Sequence, residues 1–254
     1  MAGQFDGKVA IVTGGTLGIG YAAALELGKQ GASVVIAGRR PDVGADSEAK
    51  LRAEGIEVTY IQADISQSSS VQNLVSRTVS IYEGLHFYVN SGAAVGAVAN
   101  TVECTEENWH LLINTNLTGT FLGMKYAIPE ILKSGGGSVV NVASIIGVIA
   151  FPGLPAYTAS KAGIIGLTKV AALEYAKQGV RVNVVTPGSI RTPMFIEFSG
   201  GTPEAEAYMA NTFHPMGRIG EPNEVANAIV WLCSDASSFT TGHVLPVAGG
   251  WEVP

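Results

Sequence analysis

The chain has 254 residues, 47% of them hydrophobic and only 14% charged, with a formal charge of −6. Disorder needs high charge and low hydrophobicity, so this composition excludes it, and the net negative charge without a basic cluster argues against nucleic-acid binding. A chain of this length buries roughly 70–75% of its unfolded surface and needs no staple.

The two cysteines, Cys104 and Cys233, stand in neither a CxxC pair nor a metal-ligand spacing. They fit ordinary thiols in a reducing, cytoplasmic setting. His86, His110, His214 and His243 are scattered without ligand spacing, so packing or surface roles are expected and no metal site is. Met1–Val9 lacks the basic and apolar regions of a signal peptide. No uncharged apolar run reaches about 18 residues, so no membrane span is expected.

Taken in chain order, strand-like runs alternate with helical segments. Val9–Val12, Ser33–Ala37, Glu57–Ile61, Phe87–Asn90, Ser138–Val142 and Arg181–Val185 are rich in valine, isoleucine or aromatics and bounded by turn formers. Between or after them lie helical patterns at Ile19–Gln30, Ser69–Ile81, Thr105–Lys133, Ala156–Lys177 and Glu221–Ser234. Strands apolar on both faces, alternating with helices, predict an α/β fold of Rossmann type. It is a doubly wound parallel sheet with helices on both faces and right-handed crossovers. No linker or repeat interrupts it, so 1–254 is read as a single dinucleotide-binding catalytic domain. Residues 194–220 break the alternation with glycines, prolines and their own aromatics, the marks of a substrate-binding loop or lid.

The first strand runs into Thr13-Gly14-Gly15-Thr16-Leu17-Gly18-Ile19-Gly20, which opens the first helix. Such a turn brings backbone close to a pyrophosphate and aims a helix N-terminus at it. Alone it also fits a tight strand–helix turn with no ligand. The second strand ends in Gly38-Arg39-Arg40, with no acid before Asp42. An acid there would bind a ribose 2′-hydroxyl, whereas arginines suit a 2′-phosphate, so NADP(H) is favoured and NAD(H) kept as the alternative. A solvated arginine pair is the plainer reading.

Tyr157 and Lys161 are four residues apart in a helical run and share one face. A tyrosine is a poor base at neutral pH, and a neighbouring ammonium favours the phenolate. The pair can then serve as general acid in ketone reduction and general base in alcohol oxidation. Ser144 ends an apolar strand thirteen residues earlier, where a hydroxyl can hold a substrate oxygen. Asn116 lies in the helical segment between the fourth and fifth strands. An inward amide there can anchor a water relaying protons to Lys161; the plain alternative is a polar helix-interior residue.

Glycine turn, Asn116, Ser144, Tyr157 and Lys161 stand in the order and spacing of the short-chain dehydrogenase/reductase family, which the whole chain resembles, and within it the chain resembles 3-oxoacyl reductase-like ketoreductases. The resemblance implies that Tyr157 donates or accepts the proton and Ser144 polarises the substrate oxygen. Lys161 lowers the tyrosine pKa and binds the nicotinamide ribose, and Asn116 supports the relay. It implies cofactor contacts at Gly14, Thr16, Leu17, Gly18, Ile19 and Gly20, at Arg39 and Arg40, and at Asp64 and Ile65 beside the adenine. Asn90 and Gly92 belong to the turn after the fourth strand, where Ala93 replaces the usual glycine. Pro187, Gly188, Ile190 and Thr192 belong to the turn that holds the carboxamide. Ala248 stands where the family commonly has aspartate.

The resemblance also implies a homotetramer packed through the helices carrying Asn116 and Tyr157. The partner expected is a small ketone or secondary alcohol. Val95, Ile145, Ile146, Leu154, Met194 and Phe195 are expected to line an apolar pocket or to be core packing. An NADP-dependent carbonyl reductase is the first reading. The alternatives are an NAD-dependent alcohol, polyol or steroid dehydrogenase and a non-catalytic dinucleotide-binding regulator.

Overall fold

The computed structural model describes residues 3–253; Met1 and Ala2, part of the N-terminal segment considered above, lie outside them. One parallel sheet of seven strands has the order β3-β2-β1-β4-β5-β6-β7. The strands are β1 (Val9–Thr13), β2 (Ser33–Gly38), β3 (Val58–Gln62), β4 (Phe87–Asn90), β5 (Gly137–Val142), β6 (Val180–Pro187) and β7 (Val244–Val247). β1 is buried along its whole length, as its apolar run requires, and β5 nearly so, its Ser138 and Asn141 included. Alternate side chains serve opposite faces. Ala10 and Val12 join the core under α1 (Gly18–Lys29), α2 (Pro41–Ala53) and α9 (Pro222–Cys233). Ile11 joins the core under α3 (Ser68–Tyr82), α5 (Gly119–Lys133) and α6 (Pro155–Tyr175).

α2 and β7 were not anticipated. α2 is short of apolar residues and carries Pro41 and Gly44. In the fold Pro41 occupies the first helical turn, where a missing N–H is harmless, and a Cβ on Gly44 would lie 2.2 Å from the Tyr60 ring. β7 carries Pro246 and is half-exposed throughout, which suits its place at the sheet edge. The segment 194–220 is more regular than a loop, since it contains most of α7 (Pro193–Ser199) and all of α8 (Pro203–Phe213). Thr192 and Thr202 cap these helices through their hydroxyls, and a proline follows each cap.

The sheet order reverses between β1 and β4, so their carboxyl ends open onto a crevice. Thr13 and Asn90 face each other at that point, and Asn90 faces Asn141 on β5. On the far side, Arg181 donates to the carbonyls of Leu232, Cys233 and Ser234 and to the Ser237 hydroxyl. It satisfies the carbonyls at the end of α9, which would otherwise be stranded against the sheet. Arg181→Met is expected to lower stability by about 3 kcal/mol, as measured by urea unfolding. A change below about 0.5 kcal/mol would show that water replaces the guanidinium at no cost.

Candidate active site

At the crevice the Thr13 hydroxyl donates to Val89 O at 3.3 Å and accepts from the N–H groups of Ser91 and Gly92 at 3.2 and 3.3 Å. It ties the turn after β4 to the glycine turn after β1. Gly14 has φ +65°, and a Cβ on it would stand 2.8 Å from Gly92 Cα, so only glycine permits this approach. Gly20 meets Gly14 O in the same way at 2.3 Å. Leu17 precedes α1 without any side-chain cap, and no acid stands in the first turn. The amide groups opening α1 therefore lack a side-chain acceptor, which fits an anion such as a pyrophosphate. Ser47 on α2 donates to Thr16 O at 2.8 Å and braces the turn from behind.

Arg39 and Arg40 are exposed at the end of β2, and among the described residues neither guanidinium has an ion-pair partner. Gln62 fixes the backbone there by donating to Arg39 O at 3.0 Å. Asp64 Oδ1 accepts from the N–H and hydroxyl of Ser66 at 3.0 and 2.7 Å, shaping the loop after β3. Ile65 packs against Gly92 and Gly119. Asn90 is buried at the end of β4. Its amide donates to Asn141 Oδ1 at 2.8 Å, and Asn141 in turn donates to Thr168 at 2.9 Å. Buried polar groups must find partners, and this chain of three satisfies them beneath the site.

Ser144 follows β5 and caps a single 3-10 turn, Ile145–Gly147. A Cβ on Gly147 would lie 2.7 Å from the Lys161 carbonyl carbon, so the turn lies flat on α6. That contact brings Ser144 beside Tyr157. Burial raises the Tyr157 pKa above its ordinary value, and hydrogen bonding to Ser144 works in the opposite direction. Lys161 is 2% exposed, donates to Val142 O at 3.0 Å, and lies 5.6 Å from the Tyr157 ring centre. Burial pulls its pKa down to about 8. In the protein alone, desolvation is the larger influence on both groups.

Asn116 sits in a π-helical turn, Ile113–Thr118, between α4 (Glu106–Leu112) and α5. Such turns are frequent at functional sites. Its Oδ1 accepts from Ala94 N at 2.9 Å, while Nδ2 donates to Ala94 O at 2.9 Å and to Ser160 Oγ at 3.1 Å. Ser160 donates onward to Tyr157 O at 2.8 Å. Both amide protons are thus engaged in bracing the loop after β4 against the tyrosine helix.

The turn Pro187–Thr192 leaves β6 and reaches the glycine turn: a Cβ on Gly18 would meet Thr192 Cγ2 at 3.1 Å. Ile190 forms a single parallel bridge with Gly220. Thr192 Oγ1 accepts from Phe195 N as the cap of α7. Arg191 pairs with Glu206 of α8 and Glu221 before α9, tethering α8 to the body. Of the proposed pocket residues, Ile145 and Leu154 are core packing, while Val95, Ile146, Met194 and Phe195 remain partly exposed. Sequence reasoning missed Thr13, Ser47, Ser160 and Gly147, which hold the site by backbone contacts. It also treated His214 as ordinary, although that residue lies behind the Pro187–Thr192 turn.

The sequence model of a family described as enoyl-(acyl carrier protein) reductase matches residues 14–252. The chain is 39% identical over 251 residues to a cyclohexanol dehydrogenase of Acinetobacter sp. (strain SE19), covering 99% of this chain and 97% of that one. The chain belongs to the short-chain dehydrogenase/reductase family. Within this family it is also 41% identical over 249 residues to a 2,5-dichloro-2,5-cyclohexadiene-1,4-diol dehydrogenase of Sphingobium indicum (strain DSM 16412 / CCM 7286 / MTCC 6364 / B90A), with 98% of each chain covered. A 3-oxoacyl-(acyl-carrier-protein) reductase of Thermotoga maritima is 39% identical over 249 residues, 97% of this chain and 98% of that one. The solved levodione reductase superposes with a TM-score of 0.92 at 30% identity, covering 97% and 98% of the two chains. As a member of this family the chain is an oxidoreductase of alcohol and carbonyl groups that uses a nicotinamide dinucleotide.

Proposed function

We propose that the protein is an NADP(H)-dependent carbonyl reductase acting on small apolar ketones, cyclic ones above all, and on the corresponding secondary alcohols in reverse. The observation that carries this reading is the meeting of Ser144, Tyr157 and Lys161 beside a crevice walled by an uncapped helix and a glycine turn. When bound, the dinucleotide supplies the hydride. Ser144 holds the substrate oxygen by donating a hydrogen bond to it. Tyr157 gives that oxygen its proton, and its raised pKa keeps the phenol protonated for the task. Lys161, with Nζ fixed on Val142 O, is placed to bond the ribose and to stabilise the phenolate left behind. Relatives named for cyclohexanol, a cyclohexadiene diol and levodione support a ring substrate.

The unpaired Arg39 and Arg40 support a 2′-phosphate on the cofactor. The remaining crevice positions expected from the family are Gly14, Thr16, Leu17, Gly18, Ile19, Gly20, Asp64, Ile65, Asn90, Gly92, Pro187, Gly188, Ile190 and Thr192, most of them acting through backbone. Residues 194–220 act as the lid, and residues 1–254 as one catalytic unit. A cytoplasmic homotetramer fits the exposed Phe121 on α5 and Val170 and Leu173 on α6.

The test is steady-state reduction of a ketone panel, cyclic ketones through 3-oxoesters, with NADPH and NADH compared. Reduction with a strong NADPH preference is expected, and silence with both cofactors would favour a non-catalytic binder. Arg39→Ala is expected to raise KM for NADPH about tenfold or more and to leave NADH nearly unchanged, the loss of one charge-assisted phosphate contact. Equal effects on both would return the site to NAD(H).

A further inference from the structure

His214 caps the C-terminus of α8 and is 4% exposed. Its Nδ1 lies 2.8 Å from Ala248 O, and a carbonyl only accepts, so the proton sits on Nδ1. Nε2 is then the acceptor, and it takes the Ser189 N–H at 3.3 Å. The ring sits in a slot between two glycines. A Cβ on Gly188 would stand 2.6 Å from its Cε1, and one on Gly249 would stand 3.3 Å from Nδ1. Trp251 meets the ring edge to face at 5.2 Å and stacks on Phe213 at 4.8 Å. Phe213 in turn meets Phe151, six residues before Tyr157, at 5.5 Å.

We propose that His214 is a positioning residue for the nicotinamide end of the cofactor. By accepting from Ser189 it sets the height of the Gly188–Ile190 backbone, and by donating to Ala248 it anchors that setting to the segment after β7. Because it is also the last residue of the α8 unit, it couples lid position to the turn. The inference rests on the reading of Pro187–Thr192 as the carboxamide turn.

Two amide substitutions separate the two ring nitrogens. His214→Gln can place an amide oxygen where Nε2 stands and keep the Ser189 bond while losing the one to Ala248. His214→Asn can place an amide N–H where Nδ1 stands and keep Ala248 while losing Ser189. The experiment measures binding of NADPH and of 2′-phospho-ADP-ribose, which lacks the nicotinamide, to wild-type protein and both variants by fluorescence or calorimetric titration. His214→Asn is expected to weaken NADPH about tenfold, the worth of one buried hydrogen bond, with the fragment unchanged. His214→Gln is expected to stay within about threefold of wild type for both ligands. The unchanged fragment also reports that each variant is folded. Equal behaviour of the two variants, or parallel loss of fragment and dinucleotide, would overturn the positioning role. Tight wild-type NADPH binding that gains nothing over the fragment would overturn it too. Wild-type protein that binds neither ligand would instead sink the cofactor reading on which the inference rests.

Discussion

Tyr157→Phe is expected to lower kcat for ketone reduction by about 10²- to 10⁴-fold, the usual contribution of a positioned general acid. The substitution removes one oxygen and leaves the ring in its place on α6. Tyr157 is partly buried and its hydrogen-bonding influence comes from Ser144, so stability is expected to hold within about 1 kcal/mol. NADPH affinity is expected to hold as well, since the ribose contact is assigned to Lys161. The pH profile adds a second check with a definite sign. The reductive step needs the protonated phenol, so its rate is flat at neutral pH and is lost as pH rises through the raised tyrosine pKa. Stopped-flow single-turnover kinetics would isolate this step from product release. A variant that keeps its rate would show that the proton arrives by another route, from Ser144 or from water.

Lys161→Met is expected to make the cofactor-free protein more stable while abolishing most activity. The lysine is buried, and its pKa falls from 10.5 to about 8. Below pH 8 it is charged in both folded and unfolded chains, and the fold carries the whole penalty of burying that charge, about 3 kcal/mol. Between about 8 and 10.5 the unfolded chain holds a proton that the folded chain has released, so stability from this group rises with pH. Methionine keeps the length of the stem without the charge. It orphans Val142 O, which returns roughly 1–2 kcal/mol of the gain. A net stabilisation of about 1–2 kcal/mol at pH 7 should appear in urea melts, together with loss of the alkaline rise. Destabilisation at pH 7 would mean that the ammonium finds better solvation than its burial implies.

The legible part of this molecule was the part written in periodicity and in exposed chemistry. Runs rich in valine, isoleucine or aromatics placed β1, β2, β4, β5 and β6 within a residue or two of their ends. β3 and the helices α1, α3, α6 and α9 were also found, and the Tyr157–Lys161 spacing placed both residues on α6. α2 was hidden because Pro41 and Gly44 are judged locally, whereas their fitness comes from the helix start and from Tyr60. The break at Ile113–Thr118 was hidden because a π turn keeps the apolar pattern of its flanks. Asn116 and Asn90 were named from the sequence, but the partners of a buried amide depend on what three-dimensional packing brings to it. Ala94, Ser160 and Asn141 lie 22 to 51 residues away in sequence. His214 was passed over for the same reason, since its two partners lie 25 and 34 residues from it.

The slot around His214 also bears on how the protein is made. Ser189 leaves the ribosome before His214, and Ala248, Gly249 and Trp251 leave it after both, so the ring cannot be seated until synthesis has passed β7. The first six strands can pair before then, because domains begin to fold during translation. A ribosome-bound chain halted near Phe239 would therefore have no seat for the His214 ring, because Ala248, Gly249 and Trp251 are still to come.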